Sequence, residues 1–139
     1  MEINKRVEIA MDSRKRGYNC AQAVVCAFKD RYGDFTESQL MKVSESFGGG
    51  IAHTQSVCGA VTGMLILLGL ENADGNTEKT QTKFETYDIG AGLMKKFEEM
   101  NQSVICRDLK GIDTKVMLRS CNGCIEDAIR IFGEYIGEK

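Results

Sequence analysis

A chain of 139 residues with 42% apolar content fits one domain and can bury a core. Its 18 Lys and Arg stand against 20 Asp and Glu, a net charge of −2, so no basic excess marks nucleic acid as a partner. Met1 to Arg16 carries closely spaced charges without an apolar stretch, and the longest apolar run, Val61 to Leu70, falls far short of the ~20 residues a membrane span needs. No export signal, no membrane span and a cytoplasmic setting are therefore expected.

The chain has no proline, and most of it reads at helical period. Glu2 to Arg16 predicts a polar, weakly amphipathic helix. After Gly17, Asn19 to Tyr32 places Ala21, Val24, Val25 and Phe28 at helix-face spacing. Gly33-Asp34 breaks that pattern. Thr36-Glu37-Ser38-Gln39 reads as a capping box, with a helix running to about Phe47. Gly48-Gly49-Gly50 reads as a flexible break. Val57 to Leu70 is long for a strand and contains Ala, Met and Leu, which favours a buried helix. Glu71 to Asn76 is a predicted loop. Thr77 to Met100 is a predicted long helix, interrupted at Gly90-Ala91-Gly92 by either a close backbone approach or a bend. Asn101 to Lys115 reads as irregular. A last helix runs from Ser120 to about Tyr135, with Ile125, Ala128, Ile129 and Phe132 on one side. The expected fold is all-α, a compact bundle of five to six helices.

Six cysteines, Cys20, Cys26, Cys58, Cys106, Cys121 and Cys124, are more than packing calls for. Without an export signal they point to metal, redox or catalytic chemistry rather than a secreted disulfide framework. Their placement sharpens this. With Asn19, Ser56 and Ser120 as N-caps, Cys20, Cys58 and Cys121 fall in first helical turns. Free N–H groups and the helix dipole favour thiolate there, the form that binds metals and attacks disulfides. Arg107 and Arg119 would add to this if they point inward. Cys121-Asn122-Gly123-Cys124 is a C-x-x-C, which suits a reversible disulfide or two ligands to one metal; the rival reading has Cys124 facing the core. Cys26 reads equally well as a small buried hydrophobe. His53, the only histidine, is a candidate ligand or proton donor, or a solvated loop residue. Gly59 and Gly63 share a helix face and permit close packing that would also keep Cys58 near a partner cysteine.

Cys58-Gly59-Ala60-Val61-Thr62-Gly63 resembles the C-G-A-x-x-G signature of the C_GCAxxG_C_C family, whose name marks it for redox activity. The family label writes Gly-Cys-Ala where this chain reads Cys-Gly-Ala, and the latter order is the working motif. The resemblance extends to Asn19-Cys20-Ala21-Gln22-Ala23-Val24, Phe47-Gly48-Gly49-Gly50, Cys106-Arg107-Asp108-Leu109 and Cys121-Asn122-Gly123 with Ile125 and Ala128. It implies that Cys20, Cys58, Cys106 and Cys121 are the site cysteines, with Cys26 and Cys124 as additions and Cys124 as the rival for the fourth place. It also implies a cysteine centre able to hold an iron–sulfur cluster, in proteins found with oxidoreductases and transporters. Domains similar to it occur in multihaem cytochromes, but this chain has no C-x-x-C-H for covalent haem.

Three functions are compatible with these residues. The first is an iron–sulfur protein for electron transfer or sensing, since four thiolates are what such a cluster takes. The second is a metal-free thiol–disulfide protein using pairs such as Cys20–Cys58 and Cys106–Cys121. The third is a helical binding or structural module, with zinc or without metal. A redox partner is expected but not identified by the sequence, and a homodimer is left open because the apolar Val61–Leu70 helix serves a subunit interface as well as a core.

Overall fold

A computed structural model describes residues 1–139, and it is all-helical with seven α-helices. In chain order they are α1 (Ile3–Lys15), α2 (Cys20–Cys26), α3 (Glu37–Ser44), α4 (Gly59–Asn72), α5 (Lys83–Asn101), α6 (Cys106–Lys110) and α7 (Cys121–Tyr135). Six were expected as separate stretches. The seventh, α6, lies inside the segment read as irregular; five residues are too few to show a period.

The capping chemistry read from the sequence explains three starts. Asn19 accepts from the Gln22 N–H at 2.9 Å while the Gln22 side chain accepts from the Asn19 N–H at 3.0 Å. Thr36 and Gln39 make the same reciprocal pair. Ser120 accepts from the Gly123 N–H at 3.0 Å. The ends differ more from expectation. α2 stops at Cys26 instead of reaching Tyr32, because the Arg6 guanidinium takes the Ala27 carbonyl at 2.9 Å; only a 3₁₀ turn at Lys29–Arg31 follows. α3 tightens into a 3₁₀ turn at Glu45–Phe47 after the Ser44 hydroxyl donates back to the Leu40 carbonyl at 2.6 Å. α5 begins at Lys83 and not Thr77. Asp74 accepts from the Asn76 N–H, and Asn76 from the Glu78 and Lys79 N–H groups, so these side chains satisfy the backbone without a helix.

α2 and α4 form the centre, with α7 packed against both. Val24, Val25 and Phe28 meet Val61, Met64 and Leu68, and Ile125, Ile129 and Phe132 of α7 close the core. The Phe28 and Phe132 rings meet edge-on at 5.1 Å between centroids. Gly59 and Gly63 make the α2–α4 crossing close. A Cβ on Gly63 would lie 3.0 Å from the Ala21 carbonyl oxygen, and one on Gly59 would lie 3.2 Å from Cys20 Cβ. Gly90 likewise faces Leu65 and Leu68, which favours close approach over a bend, while Gly92 faces open space. No helix is long and apolar enough to cross a membrane.

Candidate cysteine site

Five of the six cysteines line one cavity of about 150 Å³: Cys20, Cys58, Cys106, Cys121 and Cys124. They arrive on four elements. Cys20 and Cys121 open α2 and α7, and Cys124 lies one turn into α7. Cys106 opens α6, which makes a helix start that the sequence reading did not assign. Cys58 is the N-cap of α4 itself, not a first-turn residue after a Ser56 cap. The reason is an isolated antiparallel bridge between Val57 and Ile105. Through it the Cys58 N–H donates to the Val104 carbonyl at 2.8 Å and the Cys106 N–H donates to the Ser56 carbonyl at 2.6 Å. A single bridge carries no periodic pattern, so it was not legible in the sequence, yet it sets two cysteines side by side.

The segment read as a flexible glycine break is a fixed left-handed turn. Gly49, Gly50, Ile51, Ala52 and His53 have φ of 63°, 70°, 65°, 52° and 58°. Three of these five carry side chains in a region costing roughly 1–2 kcal/mol per residue for non-glycine types. The turn is held by its own backbone bonds, including His53 N–H to the Gly48 carbonyl at 3.0 Å and Ser56 N–H to the Gly50 carbonyl at 2.8 Å. Gly49 and Gly50 form part of the cavity wall, and Gly50 packs directly on Cys106. His53 is exposed, packs on Gly49 and does not line the cavity. Cys26 is 1% exposed within the core and also stands apart from it; burial pushes its thiol up to about 11.

The thiols influence one another most strongly in two neighbouring pairs, Cys20 with Cys121 and Cys58 with Cys124. In the first pair, the neighbouring Cys20 thiol brings the Cys121 thiol from its ordinary 9.0 down to about 6, with Lys110 and Arg14 adding to the shift. Cys20 is raised correspondingly and keeps its proton. In the second pair, the neighbouring Cys124 thiol lowers Cys58, helped by the backbone N–H groups of Ala60 and Val61 at the start of α4, and Cys124 is raised. Cys106 lies outside both pairs, and burial raises its thiol. No group of three or more Cys, His, Asp or Glu side chains is arranged to hold a single metal ion.

Arg14, Lys110 and Arg119 stand in the cavity wall, and no carboxylate does. Arg119 points into the cavity wall, where it bonds Asp127 and packs over Gly123. Arg107 does not. Its guanidinium turns outward to Asp113 and Gln55. Arg14 and Lys110 were missed because nothing in their local sequence places them near a cysteine in space.

Five cysteines around one cavity, with the Cys121 and Cys58 thiols lowered, make this a cysteine-rich site. The family model described as "Putative redox-active protein (C_GCAxxG_C_C)" matches residues 18–135, and the chain belongs to that family. An uncharacterized protein of Archaeoglobus fulgidus is 28% identical over 131 residues, covering 90% of this chain and 85% of the relative. No solved structure matches.

Proposed function

We propose that this redox-family protein holds an iron–sulfur cluster in the five-cysteine cavity and uses it for electron transfer or sensing. The observation that carries the reading is the gathering of five thiols around one cavity in two pairs. A two-iron cluster takes two thiolates on each iron, so paired donors on a shared cavity suit it. Cys20, Cys121 and Cys58 would be three ligands, with Cys106 or Cys124 as the fourth. The cluster would supply a one-electron couple. The chain's own part is to exclude water, to hold the thiolates with helix-start N–H groups, and to offset the anionic centre with Arg14, Lys110 and Arg119. Anaerobic purification should give coloured protein with stoichiometric iron and sulfide, and Cys58→Ser should lose both. Colourless, iron-free protein that also resists reconstitution would overturn the reading.

One observation favours a second reading, thiol–disulfide exchange: each pair already couples a lowered thiol to a protonated neighbour. With a disulfide R–S–S–R as oxidant, the Cys121 thiolate would attack one sulfur and release RS⁻. Cys20 would then attack the Cys121 sulfur, releasing the second RS⁻ and leaving its own proton with it. Two cysteines are oxidised and one disulfide is reduced to two thiols. This reading predicts that Cys121 is alkylated first, with a pH midpoint near 6, and that oxidation protects Cys20, Cys121, Cys58 and Cys124 while Cys26 and Cys106 stay free. Six alkylatable thiols by mass under every redox condition would sink it.

A further inference from the structure

A second concavity, a groove of about 640 Å³, adjoins the cysteine cavity and shares Arg14 and Asn19 with it. Tyr18 and Met11 give it apolar surface, and Lys15 and Arg14 give it charge; no carboxylate lines it. Asn122, next in the chain to Cys121, forms another part of the wall. Arg14 is fixed across the junction, donating to Asn122 Oδ1 at 3.1 Å and to the Tyr18 carbonyl at 3.0 Å. Both of these partners are neutral, and no carboxylate pairs with it. Lys15 and Lys110 make no salt bridge either, whereas Arg119 is answered by Asp127. With Arg14, Lys15, Lys110 and Arg119 gathered here, the rest of the chain keeps 14 Lys and Arg against 20 Asp and Glu. The one concave surface joined to the thiols is thus cationic on an otherwise acidic protein.

We propose that this groove binds a small organic anion, a carboxylate- or phosphate-bearing molecule, and presents it to the Cys20–Cys121 side of the cavity. The anionic group sits at Lys15 and Arg14, and the body of the molecule lies along Tyr18 and Met11 toward Asn122. The proposal rests on the cavity being the redox centre, in either its cluster or its dithiol form.

Charge selectivity tests it without knowledge of the natural ligand. Reduced protein is reacted with dithiobis(nitrobenzoate), a dianionic aromatic disulfide, and with dithiodipyridine, a neutral one; the phase absent from Cys121→Ser is the one followed. Lys15 lines the groove but not the cysteine cavity, so Lys15→Glu is the informative variant. It should slow the anionic reagent by about three- to tenfold and leave the neutral one unchanged. Added salt should slow only the anionic reagent on the unmodified protein. If the isolated protein carries a cluster, its oxidation by hexacyanoferrate(III), an anion, is compared with oxidation by hexaammineruthenium(III), a cation. Each accepts one electron, and Lys15→Glu should slow the first and speed the second. Equal effects on both members of a pair, or none on the anion, would overturn the proposal. Neither result depends on whether iron is found, so failure of the cluster reading is scored separately.

Discussion

Gly50→Ala should destabilise the protein by about 2–4 kcal/mol and abolish the cysteine cavity, an effect far larger than a surface glycine exchange gives. Two independent terms act at this position. The backbone has φ +70°, which alanine adopts at a cost of about 1 kcal/mol. The new Cβ would lie 2.6 Å from Cys106 Cβ and 2.8 Å from both the Gln55 Cα and the Ser56 nitrogen. Two of these three are backbone atoms of the segment that pairs with residues 105–107, so relief requires moving the bridge that anchors Cys58 and Cys106. Urea unfolding of reduced protein checks the stability, with Gly33→Ala as the control because a Cβ there meets nothing within 4 Å. Iron content after reconstitution checks the site. A Gly50→Ala protein with control-like stability and unchanged thiol reactivity would show that the left-handed turn does not set the cavity wall.

That turn marks where sequence reasoning reached its limit. Helix existence and most N-termini were legible because they are local: Asn19, Thr36 and Ser120 each satisfy N–H groups three residues away. Close packing at Gly59 and Gly63 was legible in their spacing, but not that α2 is the helix they meet. The cavity itself depends on non-local contacts. The Val57–Ile105 bridge joins segments 48 positions apart, and neither has strand-like alternation. Ile51, Ala52 and His53 have ordinary identities and an unusual backbone, so the glycines before them read as slack instead of as a fixed reversal. Helix starts named three of the site's cysteines, and family resemblance supplied Cys106. Cys121 and Cys124 both line the cavity, which spacing alone does not give.

Arg6→Leu should cost about 3–5 kcal/mol, and the cost should shrink in acid. Arg6 is 1% exposed on α1, a helix whose weak amphipathicity gave no reason to nominate it. Its guanidinium bonds Asp30 at 2.6 Å, Glu138 at 2.6 Å and the Ala27 carbonyl at 2.9 Å, and lies 4.3 Å from the Phe28 ring centroid. One side chain thus joins α1, the end of α2 and the segment after α7. Leucine fills part of the volume but leaves Glu138, with 10% of its side chain exposed, with only the N-terminal ammonium at 3.3 Å as a cation. The Ala27 carbonyl also loses its donor. Arg6 holds both Asp30 and Glu138 below their ordinary carboxylate values, against the opposing effect of burial. A depressed carboxylate contributes stability that is full above its unfolded value, about 4, and is lost as pH falls through the lower folded value. The difference between wild type and Arg6→Leu should therefore be flat from pH 6 to about pH 5 and narrow below pH 4, read by urea unfolding across that range. Arg6→Lys should recover only part of it, because an ammonium does not reproduce the two-sided fork that engages both carboxylates. A pH-independent difference would assign the loss to packing against Phe28, and equality of the lysine variant with wild type would assign it to charge alone.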